Sequence, residues 1–298
     1  MHPAQPKDRT GELLQPGVRI AVFLLGEVSI VVTWQNWQAA GMSVNLDLGG
    51  EVMRDLDYTR HYRNWHDGSD DDFNNQVKII TGSLKMLLPD SKSASILEIG
   101  CGMGFAVAAI KALGYSDVEG MDADQGQASA CKARGLPVEH VSISQTRKYL
   151  IGREGAKDFI FAFDVLEHIP KGEQVEFLEL VFGALKPGGR FVCRVPNCNA
   201  AVATRMRDID WTHHCSFSET SLDFLLFNCG FRDISIRDAS PNQVPRFPFL
   251  LRTEVMKWLL RSYVRAHRRL EFASEFGWTE AKKLPLSPNI LALANKPL

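Results

Sequence analysis

The sequence predicts an α/β fold, a doubly wound, mostly parallel sheet with helices on both faces, and three observations carry that reading. From about Ser93 onward, short apolar runs alternate with longer amphipathic segments, the signature of βαβ units. Seven of the runs qualify as strands. Glycines close the helical segments between them, because a residue free to turn left-handed ends a helix at little cost.

Taken in order, the strands are Ser95–Ile99, Val118–Met121, Val138–Ser142, Asp158–Phe163, Arg190–Val195, Ile234–Arg237 and Ile290–Ala294. The helices between them are Phe105–Leu113, Gln125–Arg134, Lys171–Leu185 and Glu219–Asn228, with Gly114, Gly135, Gly188 and Gly230 as their stops. Right-handed crossovers bring the carboxyl ends of the parallel strands to one edge, where a ligand crevice forms. Function is expected at that edge.

With 298 residues and 45% apolar composition, the chain can bury a substantial core and is ordinary globular material. Lys and Arg total 34 against 35 Asp and Glu, so no global positive field exists to hold a polyanion, and no nucleic-acid partner is expected. The six cysteines are dispersed with no C-x-x-C pair, which suits reduced thiols and a cytoplasmic setting. The most apolar run, Ile20 to Val32, is shorter than the ~20 residues of a membrane span and contains Glu27. It lacks a clean A-x-A site as well, so it is expected to be an accessory helix or strand, or a poorly ordered extension. Residues 1–52 are taken as that extension and 53–298 as the main domain, with Met42 and Met53 as alternative starts.

The segment Ile96-Leu-Glu98-Ile-Gly100-Cys-Gly102-Met-Gly104-Phe105 is a buried strand that turns through alternating glycines into a helix. Such a turn lets a ligand approach the backbone, because no Cβ stands in the way. Asp122 ends the next strand about twenty positions on, where a carboxylate can accept both hydroxyls of a ribose. A dinucleotide fingerprint would need glycine at position 105, which is Phe105, so a pyrophosphate seat and a dehydrogenase are disfavoured. Glu98, acidic within an apolar strand, would meet an ammonium or backbone amides.

Residues 95–123, together with Asp164-Val-Leu-Glu167-His168-Ile-Pro170 and Leu185-Lys-Pro-Gly188-Gly189-Arg, resemble the class I S-adenosylmethionine-dependent methyltransferases. The resemblance implies a seven-stranded, Rossmann-like sheet whose last strand is antiparallel, with S-adenosylmethionine as cofactor. It further implies that Gly100, Cys101, Gly102 and Gly104 flank the methionine part and that Asp122 and Ala123 lie at the ribose. Glu98 would support the loop and the cofactor's amino group, and Asp164 and Val165 would face the cofactor from the loop after the fourth strand. One departure is visible. Where many members carry an acid for the adenine amino group, this chain has Val141-Ser-Ile-Ser-Gln145, leaving Ser142, Ser144, Gln145 or a backbone group for that contact.

Methyl transfer is an in-line displacement, so alignment matters most and a hydroxyl acceptor must also lose its proton. The catalytic candidates are His168 after the fourth strand and His213 and His214 after the fifth, in Asp210-Trp-Thr-His-His-Cys-Ser-Phe217. No metal is expected at His213, His214 and Cys215, because sequence neighbours seldom all point at one ion. The aromatic and basic stretch from Asp57 to His66 reads either as a lid over the cofactor or as a helix on the sheet edge.

A helical insertion, about 241–286, precedes the last strand. Its helix, Phe249–Phe272, carries an apolar stripe of Leu251, Val255, Leu259, Tyr263 and Leu270 beside Arg252, Lys257, Arg261, Arg265, Arg268 and Arg269. It suggests either a solvated face over a core stripe or peripheral contact with a membrane or phosphate groups. Pro241, Pro245 and Pro248 read as a hinge before it. The closing segment after the insertion also resembles methyltransferases of bacterial surface-polysaccharide pathways. The expected function is methyl transfer to oxygen or nitrogen of a small-molecule or saccharide acceptor; a non-catalytic nucleoside-binding protein and an RNA methyltransferase are the alternatives.

Overall fold

The computed structural model describes residues 18–25, 28–35, 68–240 and 252–298. Residues 57–66, Met42, Met53 and the three hinge prolines lie outside the described residues. Two units are distinguished, residues 1–56 and 57–298. In the first, β1 (Val18–Leu25) pairs antiparallel with β2 (Val28–Gln35), Leu25 facing Val28. The apolar run is thus strand rather than helix, as its Val and Ile content favours.

The second unit is a seven-stranded sheet. It contains β3 (Ser95–Ile99), β4 (Asp117–Asp122), β5 (Val138–His140), β6 (Lys157–Phe163), β7 (Leu185–Pro196), β8 (Arg232–Asp238) and β9 (Asn289–Asn295), in the order β5-β4-β3-β6-β7-β9-β8. The pairings from β5 through to β7 are parallel, and β9 runs antiparallel to both its neighbours. Alternate residues feed two cores, one on each face. Ile96, Phe159 and Phe161 join one; Leu97, Ile99, Ile160 and Ala162 join the other.

The helices are α1 (Asp70–Leu84), α2 (Phe105–Ala112), α3 (Gln125–Ala133), α4 (Ile143–Ile151), α5 (Lys171–Ala184), α6 (Ala203–Asp208), α7 (Glu219–Asn228), α8 (Arg252–Phe276) and α9 (Trp278–Lys283). Three differences from the sequence reading have clear causes. Ser142, expected to end a strand, instead caps α4, and the strand stops at His140. Gly188, expected to stop a helix, lies inside β7 at a register shift, its amide bonded to the Lys296 carbonyl. Helix α1, not expected from the sequence, buries little to mark it, Leu84 being its one buried residue; Ser69 caps it, and three aspartates in its first turn suit the helix dipole.

Helix α8 does not seal its apolar stripe over a core. Leu259, Tyr263 and Leu270 are exposed, as are Met256 and Leu260 beside them. Two of its arginines turn toward the domain instead: Arg265 donates to the Ser240 carbonyl and Arg268 to the Asn199 carbonyl. Among the described residues no helix is long and apolar enough to cross a membrane.

Candidate active site

The carboxyl ends of β3, β4, β6 and β7 deliver their loops to one edge. After β3 the amides of Gly100 and Cys101 both donate to the Met121 carbonyl, at 2.9 and 3.0 Å, which ties the loop to β4. Gly100, Gly102 and Gly104 all take left-handed φ, 69°, 54° and 77°. Their spacing is therefore a backbone requirement. A Cβ on Gly100 would sit 2.4 Å from Val165 Cγ2, so the loop after β6 is seated directly on the glycine loop. Cys101, one of the expected cofactor contacts, turns its sulfur into the core against Gly120. Its backbone alone remains available to a ligand.

Asp122 closes β4 and is nearly buried. Its Oδ2 accepts from the Gly102 amide at 2.7 Å and its Oδ1 from the Asp124 amide at 2.8 Å, so the carboxylate is oriented before any ligand arrives. Burial raises its pKa, and the two amides oppose that rise. Ala123 offers its carbonyl to His140 Nε2 at 3.1 Å. Glu98 is buried on β3, and its Oε2 has no hydrogen-bond partner among the described residues. Burial, and then the charge of Asp122, push its carboxyl well above the ordinary range. For the adenine end, Gln145 Oε1 accepts from the Ser142 amide at 3.2 Å and the Ser142 and Ser144 hydroxyls pair at 3.1 Å. All three candidate side chains are thus used in the start of α4.

The loops after β6 and β7 build a second cluster. Asp164 adopts φ 57°, a region that Asp tolerates better than most residues, and pairs with Arg194 of β7. Beyond it, Leu166–His168 form one tight turn that sends Glu167 and His168 inward. His168 Nδ1 lies 2.7 Å from Thr212 Oγ1, and that hydroxyl donates to Asp210 Oδ1 at 2.7 Å. The Thr212 oxygen therefore accepts from a protonated His168 Nδ1. Burial, then the neighbouring His213, lower the His168 pKa to about 4, so the ring is neutral near pH 7. The His168 and His213 rings meet edge to face at 4.6 Å. His213 Nδ1 is 3.1 Å from the carbonyls of both Met206 and Arg207.

The structure separates the two adjacent histidines that the sequence left equivalent. His213 joins His168, whereas His214 is exposed and contributes its amide to the Glu167 carbonyl at 2.8 Å. Glu167, absent from the expected site residues, is completely buried, and neither of its carboxylate oxygens has a hydrogen-bond partner among the described residues. Burial, then the Asp164 charge, push its carboxyl well up. An acid inside the otherwise apolar Val-Leu-Glu-His-Ile run was the signal that could have found it. Thr212 and Asp210, within three residues before His213, were likewise absent from the expected site residues.

The model of the methyltransferase domain family matches residues 74–236, more than half of the chain. The chain belongs to the methyltransferase domain family. A protein of Mycolicibacterium smegmatis named "probable S-adenosylmethionine-dependent methyltransferase" is 27% identical over 138 residues, 46% of this chain and 51% of that protein. The chain thus spans about half the length of the curated relative it matches. Among solved structures, a SAM-dependent methyltransferase from Archaeoglobus fulgidus aligns with TM-score 0.55 and 18% identity over 81% of this chain and all of the other. A SAM-dependent methyltransferase from Thermotoga maritima aligns at 0.51 and 14%, over 80% and 96%. These likenesses extend the shared fold beyond the matched segment.

The residues of this methyltransferase domain fit S-adenosylmethionine. Glu98 Oε2, without a hydrogen-bond partner among the described residues, suits the ammonium of its methionine part, and the pre-oriented Asp122 retains lone pairs for the two ribose hydroxyls.

Proposed function

We propose that this chain transfers a methyl group from S-adenosylmethionine to an oxygen or nitrogen of a small-molecule or sugar-like acceptor. The contact of Val165 with Gly100 carries the reading, because it holds the Asp164–His168 loop against the glycine loop and so sets an acceptor cluster beside a nucleoside cradle. When bound, the cofactor supplies an electrophilic methyl carbon on a sulfonium sulfur. Transfer would form a bond from the acceptor atom to that carbon and break the sulfur–carbon bond, the sulfur keeping the electron pair and the acceptor's proton passing to solvent.

The protein's share is mostly alignment. Glu98 and Asp122 hold the two ends of the nucleoside–amino acid unit, and the glycine backbone lets it lie close. His168, neutral and fixed by Thr212, lines the acceptor end of the site; its low basicity makes it a better positioning group than proton store. The acceptor we favour is a saccharide of a surface-polysaccharide pathway, carried on a lipid or nucleotide and modified in the cytoplasm. The exposed Met256, Leu259, Leu260 and Tyr263, with Arg261 and Arg269 on the same helix, support contact with an anionic membrane surface. Flotation with anionic vesicles tests that part; a chain that stays with the soluble fraction removes it.

Transfer of labelled methyl to panels of sugar hydroxyls, phenols and amines tests the reaction itself. His168→Ala or His213→Ala is expected to lower kcat by about 100-fold with cofactor affinity unchanged. Wild-type turnover in both variants would remove the cluster from the reaction.

A further inference from the structure

Glu167, His168 and His213 each bring one ligand atom to a common locus, all within 4.8 Å of one another. Their hydrogen bonds fix what those atoms are. His168 donates from Nδ1 to Thr212, and His213 donates from Nδ1 to two carbonyls, which can only accept. Both rings therefore carry their lone pair on Nε2. The third member, Glu167, is fully buried with both oxygens unpartnered among the described residues. A fully buried carboxylate with no donor among the described residues is costly unless a cation joins it, and the two imidazole nitrogens converge on the same locus.

We propose that Glu167, His168 and His213 bind a divalent first-row transition ion. Two imidazoles and one carboxylate suit Mn²⁺, Fe²⁺, Co²⁺ or Zn²⁺ better than Mg²⁺ or Ca²⁺, which prefer oxygen alone. The supports behind the two rings also follow the pattern of metal-bound histidines, whose remote N–H is held by a hydroxyl or a carbonyl so that the ring faces its ion. The sequence argued against an ion at His213, His214 and Cys215, and the structure does not gather those three. His214 is exposed and Cys215 Sγ is 3.2 Å from Gln174 Nε2. The second ligand pair comes instead from the loop after β6.

An ion there takes an acceptor hydroxyl as a further ligand and lowers its pKa, so that its proton passes to solvent before the oxygen is methylated. That favours oxygen acceptors, above all those with a neighbouring oxygen to complete a chelate. This role, though not the binding, rests on the reading of the cluster as the acceptor end of a methyltransferase site.

The test titrates the purified full chain with Co²⁺ alone, by calorimetry and by the d–d absorption of the bound ion. One saturable equivalent is expected, weakened at least tenfold in both Glu167→Gln and His213→Ala and unchanged in His267→Ala, a histidine of α8 outside the cluster. Far-UV circular dichroism checks that the variants fold. No saturable binding, binding unaffected by His213→Ala, or a thiolate charge-transfer band in place of the imidazole–carboxylate spectrum would overturn the site. Titration with S-adenosylmethionine in the presence of EDTA separates the two claims. Cofactor binding without cobalt binding ends the ion site alone, whereas cobalt binding without cofactor binding leaves the ion site standing and removes the methyltransferase reading.

Discussion

Asp122 clasps the glycine loop: its Oδ2 accepts the Gly102 amide at 2.7 Å across twenty positions of sequence. The residue that suits the ribose is thus also the one that shapes the loop beside it. Asp122→Ala is expected to weaken S-adenosylmethionine binding by about 1–3 kcal/mol, since charge-assisted hydrogen bonds are lost. It also lowers thermal stability, because the Gly102 and Asp124 amides lose their acceptor. Asp122→Asn, which keeps one oxygen, falls between. Calorimetric titration and thermal melts check both effects; unchanged affinity in the alanine variant would remove Asp122 from the site.

Glu98 has a carboxyl raised well above the ordinary range by burial and then by Asp122. A raised acid stabilises the fold fully below the ordinary carboxylate range, and this contribution is lost as pH climbs through the raised value. An ammonium arriving at Oε2 favours the ionised form, so cofactor binding expels a proton wherever Glu98 is protonated beforehand. The observed binding enthalpy should therefore vary with the ionisation heat of the buffer, and Glu98→Gln should abolish the variation. A flat response in the wild type would mean that Glu98 does not meet the ammonium.

Gly100 packs under Val165, and a Cβ there would lie 2.4 Å from Val165 Cγ2. Gly100→Ala is expected to cost about 1–2 kcal/mol in left-handed backbone strain alone. Steric overlap adds to this and pushes the Asp164–His168 loop away. Adding Val165→Ala recovers only the overlap. Chemical denaturation of the two variants separates the terms; equal stability would show that the loops do not touch as described.

Glu119 sits between Arg153 and the nearly buried Lys157, each with a closest contact of 2.7 Å. Burial alone would raise its pKa, but the hydrogen bonds and charges of Arg153 and Lys157 together lower it. The sign is opposite to that of Glu98: the stabilisation is present above the ordinary carboxylate range and disappears as pH falls through the lowered folded value. Glu119→Gln is expected to destabilise by on the order of 2 kcal/mol, since it leaves the Lys157 ammonium with the Ser95 hydroxyl but without its carboxylate partner, and to flatten the acid limb of the stability profile. A stability loss of the same size at low and neutral pH would contradict the ion-pair account.

The legible parts of this site are local in sequence. Strand, glycines, helix and Asp122 lie within about thirty residues, and each turn requires a residue type that can be named. The cluster of His168, Thr212 and His213 was half legible, because His168 and Thr212 stand 44 positions apart and only the packing of two loops decides that His213, not His214, meets His168. Glu167 was hidden for a related reason: an acid in an apolar run says that something unusual is buried, not what faces it. Helix α4 was lost to Ser142, whose role as cap rather than strand end depends on Gln145 three residues on. For α8 the periodicity revealed an amphipathic helix, but not that its apolar side would stay exposed while Arg265 and Arg268 turn inward.

If β3, β4 and β6 build a nucleoside cradle for a methyl donor, the chain binds that donor and its demethylated product. Calorimetric titration of the purified full chain with S-adenosylmethionine and S-adenosylhomocysteine tests it most directly. Saturable one-to-one binding of both with micromolar affinity, weakened by Asp122→Ala, is the predicted result. Absence of binding to either, with the protein folded and the site residues intact, would mean that these strands do not form such a cradle.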